Sequence, residues 1–143
     1  MTTKTSIFQT LLASFFVILV YFTLIYFVAP LFNAFIDIAV PIYWKIFGSN
    51  RLADVDNPGF IQTIFIEAAT ASFCSFFALC VAFKFPRANF KIVLIIFSLC
   101  IAIWTSSFIW LAIRVDDFLL GLIMVITDFL APMAMVLYFW KSD

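Results

Sequence analysis

The chain has 143 residues, 66% of them hydrophobic and 11% charged, with a formal net charge of zero. Soluble domains average about 25% charged residues, and a chain this short has too little interior to hide so much apolar surface, so the composition points to a bilayer as solvent. The neutral balance offers no basic field for nucleic acid, and the absence of histidine removes His-ligated haem, His-containing zinc sites and nucleophile–His dyads.

A membrane helix needs about 20 predominantly apolar residues. The first such run covers 7–29. It is too long for a signal-peptide core and is followed by no small-residue cleavage site, so it is expected to be retained. Next comes "PLFNAFIDIAVPIYWKIFG", residues 30–48, apolar but interrupted by Pro30, Asp37 and Pro41. As a fifth span it would move Lys84, Arg87 and Lys91 to the outer side, against the charge rule for membrane topology. The segment 31–47 is therefore expected to be a bent extension of helix 1 or a short helix in the outer interface, with Tyr43, Trp44 and Lys45 among the headgroups. The loop "GSNRLADVDNPG" follows. Its Asp54-x-Asp56-Asn57 falls short of a calcium loop, which needs more oxygens at set spacing and a closing acid. Asn57 is placed to cap helix 2, with Pro58 in its first turn.

The second span, 60–83, contains "TIFIEAATASF" and so places Glu67 in an apolar run. Insertion tolerates it. Eleven Ile, Leu, Val or Phe residues contribute about −0.3 to −0.6 kcal/mol each near the bilayer centre, against roughly +2.5 to +3.5 for one acid. Thr63, Glu67, Thr70 and Cys74 share one helical face by their spacing. Ala71, Ser75, Ala78 and Ala82 form a small-residue stripe that lets another helix approach closely. The turn "KFPRANFK" (84–91) brings Lys84, Arg87 and Lys91 to one interface, where they fix topology and meet anionic headgroups.

The third span, 92–113, has a second small-residue stripe through Ser98 and Ala102, then "WTSS" with Thr105, Ser106 and Ser107. The fourth, 118–140, is capped by Asp116 or Asp117 and contains "VITDFLAP". Pro132 lies four residues after Asp128 and cannot donate the usual helix bond to that carbonyl. A carboxyl and a freed carbonyl would then lie together, as they do where interrupted membrane helices bind cations. Asp37 and Pro41 repeat the spacing, making Asp37 a secondary acid. The alternative is that Pro132 merely kinks the helix. Cys74, Cys80 and Cys100 all lie in apolar runs without a C-x-x-C, and read as small buried hydrophobes with no disulfide or metal role.

The sequence thus predicts an all-α polytopic membrane protein, one four-helix transmembrane domain. With four spans, Lys4, Lys84, Arg87, Lys91 and Lys141 share one side, and Lys45, Arg51 and Arg114 the other. That imbalance favours both termini in the cytoplasm, in a cell membrane of the bacterial inner-membrane type. Glu67, Thr63, Thr70, Thr105, Ser106, Ser107 and Asp128 are expected to form one polar layer in the outer half of the bilayer, with Thr127 beside Asp128. No Lys or Arg lies inside a span to neutralise the acids. They are neutral there, or ionised around water or a bound cation.

Two functions follow. The first is a non-enzymatic membrane subunit, a scaffold, sensor or accessory component of a transport, secretion or defence assembly. Its partners would be the lipid bilayer and either further copies or other membrane or cytoplasmic subunits. The second is a small oligomeric proton or cation channel or transporter using Glu67 and Asp128. An intramembrane enzyme built on two carboxyls has no accompanying motif, and no cofactor, metal or nucleic-acid partner is expected.

Overall fold

The computed structural model describes residues 6–47, 58–114 and 118–142. The chain forms helices α1 (Ile7–Phe47), α2 (Pro58–Ala82), α3 (Phe90–Arg114), α4 (Phe118–Met124), a π-helical segment (Val125–Leu130) and α5 (Ala131–Ser142). The last three run on as one rod, so four rods make the bundle. Each contains a stretch long and apolar enough to cross a membrane: Ile7–Leu31, Glu67–Lys84, Phe90–Arg114 and Gly121–Lys141. This is a polytopic all-α membrane protein.

The 30–47 segment continues α1 without a turn, through both Pro30 and Pro41. Of the two forms expected, the structure adopts the extension. At about 1.5 Å per residue α1 is about 62 Å long, twice the roughly 30 Å hydrocarbon core. A helix of that length cannot lie wholly within one crossing, so part of it continues past the span. The side chains of Asp37, Thr63, Tyr43, Trp44 and Lys45 lie outside the described residues, as do Lys4, the loop with Arg51, Asp54, Asp56 and Asn57, and the caps Asp116 and Asp117.

One end of the bundle is closed by hydrogen bonds. Ser6 caps α1, its carbonyl and hydroxyl accepting from the Thr10 and Gln9 N–H at 3.0 and 3.4 Å. Its own N–H donates to the Arg87 carbonyl (2.8 Å). The Arg87 N–H donates to Gln9 Oε1 (3.1 Å), and the Asn89 N–H to Thr10 Oγ1 (2.8 Å). Asn89 in turn caps α3 through its Oδ1 and carbonyl, which accept from Ile92 and Val93. The rings of Phe83, Phe90 and Phe139 meet here, with centroids 5.0 to 6.0 Å apart, and the Lys91 ammonium lies 5.8 Å from the Trp140 ring. The start of α1, the 83–89 turn and the end of α5 therefore share one side of the membrane.

Packing follows residue size. The stripe Ala71, Ser75, Ala78 and Ala82 is buried, and α2 rests mainly on α1. Ser98 and Ala102 on α3 are half-buried. Helices α2 and α3 are consecutive but barely touch; α1 and the α4–α5 rod lie between them. The core centres on Val17, Tyr21, Leu79, Leu94, Phe97 and Ile101. Most remaining large apolar side chains face outward, where a bilayer rather than water makes them favourable.

Candidate polar site within the membrane

The site begins with the missing N–H of Pro132. That proline is fully buried, and the carbonyl of Asp128 four residues earlier loses its usual partner. The chain widens instead of breaking: the Ala131 N–H bonds back five residues to the Ile126 carbonyl, giving the π-helical segment Val125–Leu130. The orphaned Asp128 carbonyl is then filled from α3, where Thr105 Oγ1 donates to it at 3.3 Å. The freed oxygen foreseen from the Asp-x-x-x-Pro spacing is thus occupied by a hydroxyl of the chain itself. Thr127 Oγ1 donates to the Ile123 carbonyl at 3.0 Å and lies 3.3 Å from Asp128 Oδ1.

All four rods contribute. From α1, Tyr21 is 1% exposed; it is hydrogen-bonded to Ser75 and within electrostatic range of Asp128, Cys74 and Cys100. From α2 come Thr70, Cys74 and Ser75, all buried, the Ser75 hydroxyl also donating to the Ala71 carbonyl at 2.6 Å. From α3 comes Thr105, and from the π-helix Thr127 and the half-buried Asp128. Glu67 lies within electrostatic range of Asp128, yet its side chain is exposed at the edge of the cluster. It is the cluster's opening on the bundle surface. Counted from Ala82, it lies about 22 Å along α2 at about 1.5 Å per residue, in the third of a core about 30 Å thick that is farthest from the closed end.

The other sequence-derived residues fall elsewhere. Ser106 and Ser107 are exposed, and their hydroxyls return to the Ala102 and Ile103 carbonyls of their own helix. They turn away from the cluster because only Thr105 of the three lies on the buried face of α3. Lys84, Arg87 and Lys91 are exposed at the closed end, beside Lys141. Arg114 is at the opposite end, its guanidinium 4.2 Å from the Trp110 ring. Sequence reasoning missed Tyr21. Interfacial tyrosines belong near span ends, so a tyrosine in the middle of the first span was the available signal for a buried hydroxyl with a partner.

The cluster stops short of the closed end. Beyond Ser75 the buried side chains are Val17, Leu79, Val93, Leu94, Phe97 and Val136, with Phe139 at the base. Thr10 and Ser14, the buried hydroxyls of α1 nearest that end, bond to α1 carbonyls. Among the described residues no group of three His, Cys, Asp or Glu side chains is placed to hold a metal.

Comparison of the chain with protein-family models, with curated proteins and with solved structures gives no match.

Proposed function

We propose that this protein is a non-enzymatic integral membrane subunit, a scaffold or accessory component of a larger membrane assembly, engaging its partner through the face that carries Glu67. One observation carries the reading. The polar cluster opens on the bundle surface at Glu67 and ends inward on an apolar core. An acid directed to lipid is unfavourable, by about 2.5 to 3.5 kcal/mol at the helix centre and by less toward either interface. A partner helix that hydrogen-bonds or ion-pairs with it removes that penalty. The small-residue stripe of α2 is already used inside the chain, so among the described residues Glu67 and the exposed rings of Phe73, Phe76 and Phe77 are what α2 offers a neighbour.

The test is Glu67→Gln in the native membrane. We expect the variant to insert and retain its melting temperature, yet migrate at lower mass than the wild type on native gels in mild detergent. Identical migration of the two would end this reading.

The second reading is a proton or cation pathway. It is favoured by the carboxyl and hydroxyl set of Glu67, Asp128, Tyr21 and Ser75. Within one protomer that set meets the apolar plug below Ser75, so conduction would need further copies to complete the path. Flux in proteoliposomes that is present in the wild type and lost in both Glu67→Gln and Asp128→Asn would establish it and displace the subunit reading. By the charge imbalance between the two ends, the protein is proposed to sit in a cell membrane with both termini cytoplasmic.

A further inference from the structure

We propose that the closed end of the bundle holds one anionic phospholipid, with its phosphate beside Arg87 and Asn89 and one acyl chain in the groove between α1 and α3. This inference is independent of the partner assigned to Glu67.

The groove is a cavity of about 110 Å³ lined by Ile7, Thr10, Leu11, Asn89 and Ile92. Three of its walls are exposed aliphatic side chains: Ile7, Leu11 and Ile92. The volume is that of roughly four water-sized groups at about 30 Å³ each, which suits the upper methylenes of a lipid chain. The cavity's depth is marked independently. Lys91 precedes Ile92 and stands over Trp140, an aromatic–cation pair that belongs at the headgroup level.

The main chain at the mouth is held in place before any ligand arrives, while the Arg87 side chain is exposed. Arg87 is tied to the first turn of α1 through both its carbonyl and its N–H. Asn89 is fixed by its N–H to Thr10 and by its Oδ1 at the start of α3. The Thr10 hydroxyl accepts from Asn89 and donates its only proton to the Ser6 carbonyl at 2.9 Å. The Asn89 amide nitrogen donates no hydrogen bond among the described residues and is available to a phosphate oxygen. Such preorganisation separates a built site from a merely basic surface.

Charge selects the headgroup. Lys84, Arg87, Lys91 and Lys141 are all exposed at this end. The described acidic side chains, Glu67 and Asp128, lie about 20 Å further along their helices at about 1.5 Å per residue. A zwitterionic lipid would bring its own ammonium against these cations; a phosphatidylglycerol-type lipid brings only negative charge. A free phosphate would gain nothing from the three aliphatic walls.

The experiment uses the full chain in phosphatidylcholine vesicles, with spin-labelled phosphatidylglycerol or phosphatidylcholine as probe. The motionally restricted lipid fraction is read by electron spin resonance. We expect at least a five-fold preference for phosphatidylglycerol at about one site per chain. Leu11→Trp fills the groove from an exposed position and leaves every charge in place; it should reduce the preference to below two-fold. Asn89→Asp keeps the cap oxygen for α3 but replaces the donor with a negative charge, and should reduce it likewise. Arg114→Gln, at the opposite end of α3, should leave it unchanged. A preference unchanged by Leu11→Trp would show surface attraction alone and overturn the site. Full displacement of the probe by millimolar inorganic phosphate would show a free-anion site and overturn the lipid assignment.

Discussion

Asp128 has two separate attachments, and they respond to different substitutions. Its carbonyl depends on Thr105 at 3.3 Å; its carboxyl lies beside Thr127 and within range of Glu67 and Tyr21. Thr105→Val keeps the shape of the side chain and removes the donor, leaving a carbonyl without a partner in an apolar medium. The expected loss is about 1 to 3 kcal/mol, seen as a lower midpoint in a detergent-denaturation series, while Thr105→Ser stays close to the wild type. Tyr21→Phe should cost about 1 kcal/mol by the same measurement, because the ring that packs on Phe97 at 5.2 Å survives and only the hydroxyl bond to Ser75 is lost. Asp128 and Glu67 were legible from the sequence because a carboxyl in an apolar run stands out. Thr105, Ser106 and Ser107 share one depth in the bilayer, and sequence order alone does not say which of them faces the bundle. One helical turn distributes three consecutive residues around the axis, so only one of them reaches the buried face.

Pro132 links that residue chemistry to the shape of a whole element. A proline inside a helix removes one bond, and here the chain answers with a π-helical turn rather than a break. The loss of the Asp128 partner was readable from the Asp-x-x-x-Pro spacing; the replacement donor was not, since Thr105 is 23 residues away on another helix. The two residues should therefore be coupled. Pro132→Ala restores an N–H four residues after Asp128, so its carbonyl no longer depends on α3. In that background Thr105→Val should be milder than in the wild type, with an interaction energy of about 1 kcal/mol in a double-mutant cycle. Additive effects would show that the hydroxyl does not stand in for the missing N–H. Helix α1 shows the limit of the same reasoning. Pro30 and Pro41 read as interruptions, yet the helix passes through both. Proline disfavours a helix interior by about 3 kcal/mol locally, a term that a long membrane helix, with every other backbone bond satisfied internally, can absorb.

At the scale of the molecule, the four spans were legible because twenty-residue apolar runs have few alternatives. Their arrangement around the bundle was not, because α1, with its small-residue contacts to α2, separates α2 from its sequence neighbour α3 only in three dimensions. The topology makes a prediction that the hydrogen bonds at the closed end strengthen. Ser6, Arg87 and Asn89 are tied together, so the start of α1 and the 83–89 turn cannot lie on opposite sides of a membrane. Cysteine placed at the exposed tip of the 83–89 turn, as Pro86→Cys, should react with an impermeant maleimide only after the inner face is opened, if the basic end is cytoplasmic. Asn50→Cys, between α1 and α2, should react from outside in intact cells. Both belong in a background where Cys74, Cys80 and Cys100 are replaced by alanine. Reaction of both positions from the same side would mean that α2 does not cross the membrane. The reverse of the expected pattern would mean that the basic end lies outside. That would place Glu67 near the face opposite to the one assigned here, and a partner approaching it would have to come from the other leaflet.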